Sequence, residues 1–352
     1  MNEQGSARAA EALDWQARAC GRLGSPMYAS LLAALAEDVT SGGPTRAVLG
    51  DLLDDDAELP TALGLRLVGG LHRLVLDGEA PSLAPYYASV GGRWDQAAAW
   101  PVVRAVLEER RDTLHAALDR VPQTNEVGRS AALIGGLLRV ADRFALPVRL
   151  VEIGASAGLN LRADHFRFSS PRGWWGPPES PVVMPGAWAG LTPAVDAPLE
   201  VVERVGFDVA PLDPTRAEDR RTLEAYTWPD MVERLDRLRA ACDVAQQVPA
   251  VVERASAADG LDRLELAEGT ATVVWHSVMW MYVDDAERSR IDARLAALAE
   301  GAGADRVLAR VTLESSGELG GPYDVVLTTW PFGEATVIGS APPHGLPTTW
   351  TG

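Results

Sequence analysis

Lysine is absent from the chain: all 32 basic residues among its 352 are arginine, set against 49 Asp and Glu for a formal charge of −17. That acidity argues against a nucleic-acid partner, whose phosphates need a basic footprint, and disfavours anionic membrane surfaces. Cysteine is almost absent too. Cys20 and Cys242 can build neither a disulfide framework nor a zinc knuckle. No apolar run reaches the roughly 18 residues of a membrane span. The first fifteen residues lack an apolar core behind a basic start, so no secretory signal is expected and a cytoplasmic location follows. The Asp54-Asp55-Asp56 run has no further ligand spacing behind it and reads as a solvated turn, so no metal is expected. What is present is ordinary: 47% apolar and 23% charged residues, the balance of a folded protein, in a length that suggests two domains.

The first 145 residues read as helices. Ser25-Pro26 supplies an N-cap and a first-turn proline, and Met27, Leu31, Leu32 and Leu35 share the face that follows. Residues 61–76, 95–120 and 125–144 repeat the helical period, and no strand is expected before Val148. From residue 146 the texture changes. Val148–Ile153, Glu200–Val205, Ala250–Val252, Thr272–His276, Arg306–Leu313, Asp324–Thr329 and Ala335–Ile338 read as strands. Helices at 229–245 and 285–299 fall between some of them, and Asp284 with Glu287 resembles a capping box. Alternation of this kind implies a mostly parallel α/β sheet. The last two strands are joined only by Trp330-Pro331-Phe332-Gly333 and should form an antiparallel hairpin at its end. Residues 164–199 are rich in Pro and Gly with Trp174, Trp175 and Trp188 interleaved, and read as an irregular insertion packed on, or closing over, a site.

The most informative segment is Glu152-Ile153-Gly154-Ala155-Ser156-Ala157-Gly158. Its E-x-G-x-x-x-G at a strand end resembles the first motif of S-adenosylmethionine-dependent methyltransferases. There glycines let the backbone turn close to a ligand and the next helix aims its amides at it. The same residues contain G-x-S-x-G, the nucleophile elbow of α/β-hydrolases, with Ser156 as nucleophile. A hydrolase elbow follows several strands of its sheet, whereas here only helices precede it. The methyltransferase reading is therefore preferred, a non-catalytic Rossmann-type nucleotide binder is the alternative, and a serine hydrolase comes third.

Five stretches go further: TNEVGRSAAL at Thr124–Leu133, EIGASAGLNL at Glu152–Leu161, RVGFDVAPLD at Arg204–Asp213, VVWHSVMWMYV at Val273–Val283, and His344-Gly345. Together with SPMY at Ser25 and LHRLVLDG at Leu71 they resemble the bacterial domain of unknown function 2332 family over nearly the whole chain. The resemblance carries no established activity.

On this reading the fold is a methyltransferase-like Rossmann sheet behind an all-helical N-terminal domain. S-adenosylmethionine would lie against Glu152, Gly154, Ser156 and Gly158, with Asp208 on the ribose hydroxyls and Asp213 as its rival; Asp259 either reads the adenine or begins a helix. His276 would act as base toward an O or N of a small-molecule substrate. Asn125, Arg129, Trp175 and His344 would contact that substrate, with Arg129 able to clamp a carboxylate. The oligomeric state stays open.

Overall fold

A computed structural model describes residues 3–54, 57–317 and 321–351; Asp55 and Asp56 lie outside them. The chain forms two compact units. One takes residues up to Thr124 together with Glu218–Asp236, and the other takes Asn125–Ala217 with the chain from Arg237 onward.

The first unit is helical. Ser25 caps Pro26–Thr40 by accepting from the Tyr28 N–H at 3.2 Å. The expected helix at 95–120 is broken at Arg110 into Gln96–Glu109 and Arg111–Ala117. Leu13, Leu31, Leu35, Leu67, Leu71, Leu107 and Leu114 form its core, and Trp228 joins them from the later segment. That segment is bound by polar contacts as well. Asp230 accepts from Ser25 Oγ at 2.7 Å and from the Met27 N–H at 3.0 Å, and the carbonyl of Ala225 bonds the His72 ring at 3.1 Å.

The second unit is built on strands β1 (Val148–Ile153), β2 (Arg167–Ser170), β3 (Gly173–Trp175), β4 (Val183–Met184), β5 (Trp188–Gly190), β6 (Val201–Asp208), β7 (Val251–Arg254), β8 (Thr270–Ser277), β9 (Arg306–Ser315), β10 (Tyr323–Trp330), β11 (Ala335–Ala341) and β12 (Thr348–Trp350). Nine of them make one mostly parallel sheet in the order β5-β12-β11-β10-β9-β8-β1-β6-β7. The stretch β7-β6-β1-β8-β9 is parallel throughout. The expected β10–β11 hairpin is present, but it does not end the sheet: β12 pairs with β11, and β5 is the edge. Residues 164–199 are irregular over most of their length, but not throughout. They hold the small sheet β3-β2-β4 as well as β5, all too short to show a period in the sequence.

Strand pleating sorts the β1 side chains. Val151 and Ile153 enter an apolar layer with Phe207, Val274 and Leu308, covered by helix Ala257–Asp262 and by Ile291, Leu295 and Leu298 of helix Asp285–Glu300. Asp284 caps that last helix, accepting from the Glu287 N–H at 2.8 Å, but Glu287 accepts from the Ala258 N–H at 3.2 Å, so only half of the expected box forms. Helix Ser130–Phe144 also belongs to this unit.

Candidate active site at the carboxyl ends of the parallel strands

After β1 the backbone turns through three residues with positive φ: Gly154 at +69°, Ser156 at +50° and Gly158 at +63°. Serine in the left-handed region costs about 1–2 kcal/mol, and Asp208 holds it there. Asp208 is the last residue of β6. Its Oδ2 accepts from the Ser156 N–H and its Oδ1 from the Ala210 N–H, both at 2.8 Å. A methylene at Gly158 would lie 2.6 Å from Val252 Cγ2, so that glycine also lets the turn approach β7. The segment that follows, Leu159–His165, is a kinked 3-10 helix and not the α-helix the motif led one to expect. Its Leu159 N–H donates to Asn125 Oδ1 at 2.7 Å, which ties the turn to the segment before helix Ser130–Phe144. Ser156 is only 4% exposed.

Glu152 faces the side of the sheet opposite the apolar layer and is 2% exposed. Burial pushes its carboxyl up to about 8, against the opposing pull of Asn160, Trp275 and the Arg162 charge. Asn160 and Trp275 lie beside it without completing hydrogen bonds of good geometry: Glu152 Oε2 and Trp275 Nε1 are buried and unsatisfied.

On the adjacent strand, His276 is 1% exposed and fully engaged. Its Nδ1 lies 2.7 Å from Glu314 Oε1, and its Nε2 lies 2.8 Å from Arg310 Nη2. An arginine can only donate, so Nε2 accepts and the proton sits on Nδ1, pointing to Glu314. Burial and, secondarily, the Arg310 charge oppose protonation of the ring, whereas the Glu314 hydrogen bond favours it; the net shift is downward. Trp280 stacks on the ring at 5.0 Å and also lies under the Arg310 guanidinium at 4.8 Å. Asp292 holds the far side of Arg310 at 3.1 Å. Two residues past His276, Val278 has φ +51°, a strained backbone for a β-branched residue. A side chain at Gly154 would meet Met279 at 3.1 Å, so this loop lies directly over the glycine turn.

Arg129 bridges to the same end of the sheet. Its Nε donates to the Pro343 carbonyl at 2.9 Å and its Nη1 to that of Ser277 at 3.4 Å, which brings the loop carrying His344 beside the end of β8. Glu152, the glycine turn, Asp208, Asn125, Arg129, His276 and His344 are thus drawn to one region. Trp175 is not: it packs with Phe168 at 5.9 Å and with Trp188 of the edge strand β5 at 6.3 Å. Asp213 folds onto Thr215, accepting from its N–H at 2.9 Å, and Asp259 lies inside helix Ala257–Asp262, paired with Arg290 at 2.8 Å.

Sequence reasoning passed over Arg310 and Glu314. The register reveals them: His276 pairs with Thr312, and residues two before and two after Thr312 share its face, so the opposite charges in β9 flank the imidazole. Arg162 was missed as well; it is 3% exposed and donates through Nε to the Val248 carbonyl at 2.9 Å and through Nη1 to that of Gly158 at 2.7 Å.

Fold and site together define an α/β protein with a large mostly parallel sheet, a helical N-terminal region and a polar cluster where the parallel strands end. The chain belongs to the family of uncharacterized proteins conserved in bacteria, DUF2332, whose model matches residues 10–350. No curated protein and no solved structure matches it. Among the described residues, no helix is long and apolar enough to cross a membrane, and no group of three or more His, Cys, Asp or Glu is placed to hold a metal ion.

Proposed function

We propose that the sheet unit is a Rossmann-type methyltransferase that takes S-adenosylmethionine and methylates an O or N of a small molecule. The observation that carries this is the strand order. The chain leaves β1 toward β6 and β7, then returns to β8 on the other side, and ligands of such sheets bind outside the carboxyl ends of the strands at that reversal. Both strands flanking the reversal run into a non-glycine residue with positive φ, Ser156 after β1 and Val278 after β8, and strain of this kind concentrates at functional sites.

The glycine turn and Asp208 would hold the cofactor, which when bound supplies an electrophilic methyl group on a sulfonium. Each Asp208 oxygen already accepts one backbone N–H, and a carboxylate oxygen can take a second donor, so both ribose hydroxyls can still be bound. His276 is held from both sides, which makes it a positioning residue for the loop at Val278–Trp280 in place of the free base expected from its sequence position. Glu314 extends the same role, accepting from the Met279 N–H at 3.2 Å. Rate enhancement in this arrangement comes from aligning the two reacting atoms and excluding water. The closed state of His276 equally favours a second reading, a Rossmann-type module that binds the same ligand without turnover.

A thermal melt with calorimetry tests the binding common to both. S-adenosylmethionine and S-adenosylhomocysteine should each stabilise the protein by about 2.7 kcal/mol at a hundredfold excess over their dissociation constants. NAD and ATP should do much less. A flat response to both sulfur nucleosides rejects the proposal. Binding without methyl transfer to any component of a cell extract selects the second reading.

A further inference from the structure

Beside the glycine turn, on the face of the sheet where Glu152 points, lies a cleft of about 660 Å³. Its walls are mixed: Leu212, Ala250 and Val252 stand beside Asp213, Thr215 and Gln246, and one arginine, Arg162, reaches it from within the protein. We propose that this cleft binds a small organic carboxylate with an apolar body, held through the Arg162 guanidinium. The inference goes beyond the methyl-transfer reading and does not depend on it.

Arg162 is almost wholly buried, yet among the described residues it makes no ion pair. Two of its nitrogens are fixed by the backbone carbonyls of Val248 and Gly158, which orient the plane without neutralising it, and these are its hydrogen bonds among the described residues. A buried charge left in that condition is costly unless an anion completes it. Two nearby acids, Glu152 and Asp213, favour its charge from a distance, but neither closes an ion pair with it among the described residues. Glu152, with its carboxyl raised to about 8, is mostly protonated at neutral pH. Asp213 stands on the exposed rim and is turned toward Thr215, accepting from both its N–H and its hydroxyl.

The chemistry of the cleft favours a carboxylate over a phosphate. A single guanidinium edge matches one carboxylate oxygen pair, whereas a phosphate dianion needs donors on three oxygens. Beyond the arginine the cleft offers only the neutral donors Thr215 and Gln246, while its Ala, Pro, Leu and Val residues suit a hydrocarbon or aromatic body. The volume lies in the usual range for small-molecule sites.

Fluorine NMR on the full chain provides the test, with 4-fluorobenzoate as probe, 4-fluorobenzamide as its neutral counterpart, and inorganic phosphate and acetate as competitors, all at constant ionic strength. The benzoate should bind at least tenfold more tightly than the amide. Arg162→Met should abolish that preference. Because Arg162 also anchors two carbonyls, Ala250→Trp serves as a second variant: residue 250 lies in the cleft wall, half-buried, and the indole should fill the space and remove benzoate binding while the melting temperature is kept. Equal affinity for benzoate and amide overturns the proposal. So do benzoate binding that survives Ala250→Trp, phosphate displacing the probe more effectively than acetate, and no benzoate binding at millimolar concentration. No sulfonium compound is present, so failure here is distinguishable from failure of the methyl-transfer reading.

Discussion

Glu152 is a buried carboxylate inside strand β1. Its carboxyl rises from an ordinary 4.5 to about 8 because burial penalises the anion more than Asn160, Trp275 and Arg162 relieve it. The folded state therefore holds a proton that the unfolded chain releases. Stability from this group is fully present below pH 4.5 and is lost as pH climbs through 8. His276 acts in the opposite sense, since its ring resists protonation when folded and costs stability as pH falls below 6.5. Glu152→Gln keeps the shape and the uncharged state while removing the titration. Measured by urea unfolding across pH 5–8, the variant should gain on the wild type steadily with pH, by an amount on the order of a few kcal/mol. Parallel curves would mean that Glu152 ionises normally inside the fold.

The strands that read clearly were those of the parallel set and the hairpin beyond it, because β-branched runs such as Val148–Ile153 and Thr272–His276 are long enough to show themselves. β2 to β5 and β12 were not legible, since elements of two to four residues carry no period and are held by their partners. The same holds for the cluster around His276. The imidazole was visible in the sequence, but Arg310 and Glu314 became its neighbours only through the parallel register of β8 and β9. β12 shows how much such a short element can matter. Trp350, 2% exposed, packs so tightly on helix Ser130–Phe144 that a methyl at Gly135 would stand 1.9 Å from its Cζ2. Gly135→Ala should cost about 1–3 kcal/mol by overpacking, although alanine favours helices. Trp350→Leu in the same chain should return part of that loss. An unchanged denaturation midpoint in Gly135→Ala would show that the tryptophan moves aside freely.

At the scale of the molecule, the chain enters the helical unit twice. The second entry, Glu218–Asp236, contributes Trp228 to the core and Asp230 to the start of helix Pro26–Thr40. Nothing in the spacing of the first 145 residues announces that their core is incomplete, because a helical period records which face is buried and not what covers it. A fragment ending at Ala145 should therefore lack a cooperative unfolding transition, while the full chain shows one. A sharp calorimetric peak from the fragment would show that the later segment is dispensable.

That double entry also orders events during synthesis. N-terminal domains generally fold first as they leave the ribosome. Here the leading helices wait: Asn125–Ala217, which includes β1 and β6, must emerge before Trp228 and Asp230 can arrive. Strands β8 to β12 are still unmade at that moment, so β1 is left with one flank exposed in the nascent chain. The helical unit is thus first in sequence yet cannot close until Asp236 has been made, and the growing polypeptide carries an open flank on β1 until β8 follows.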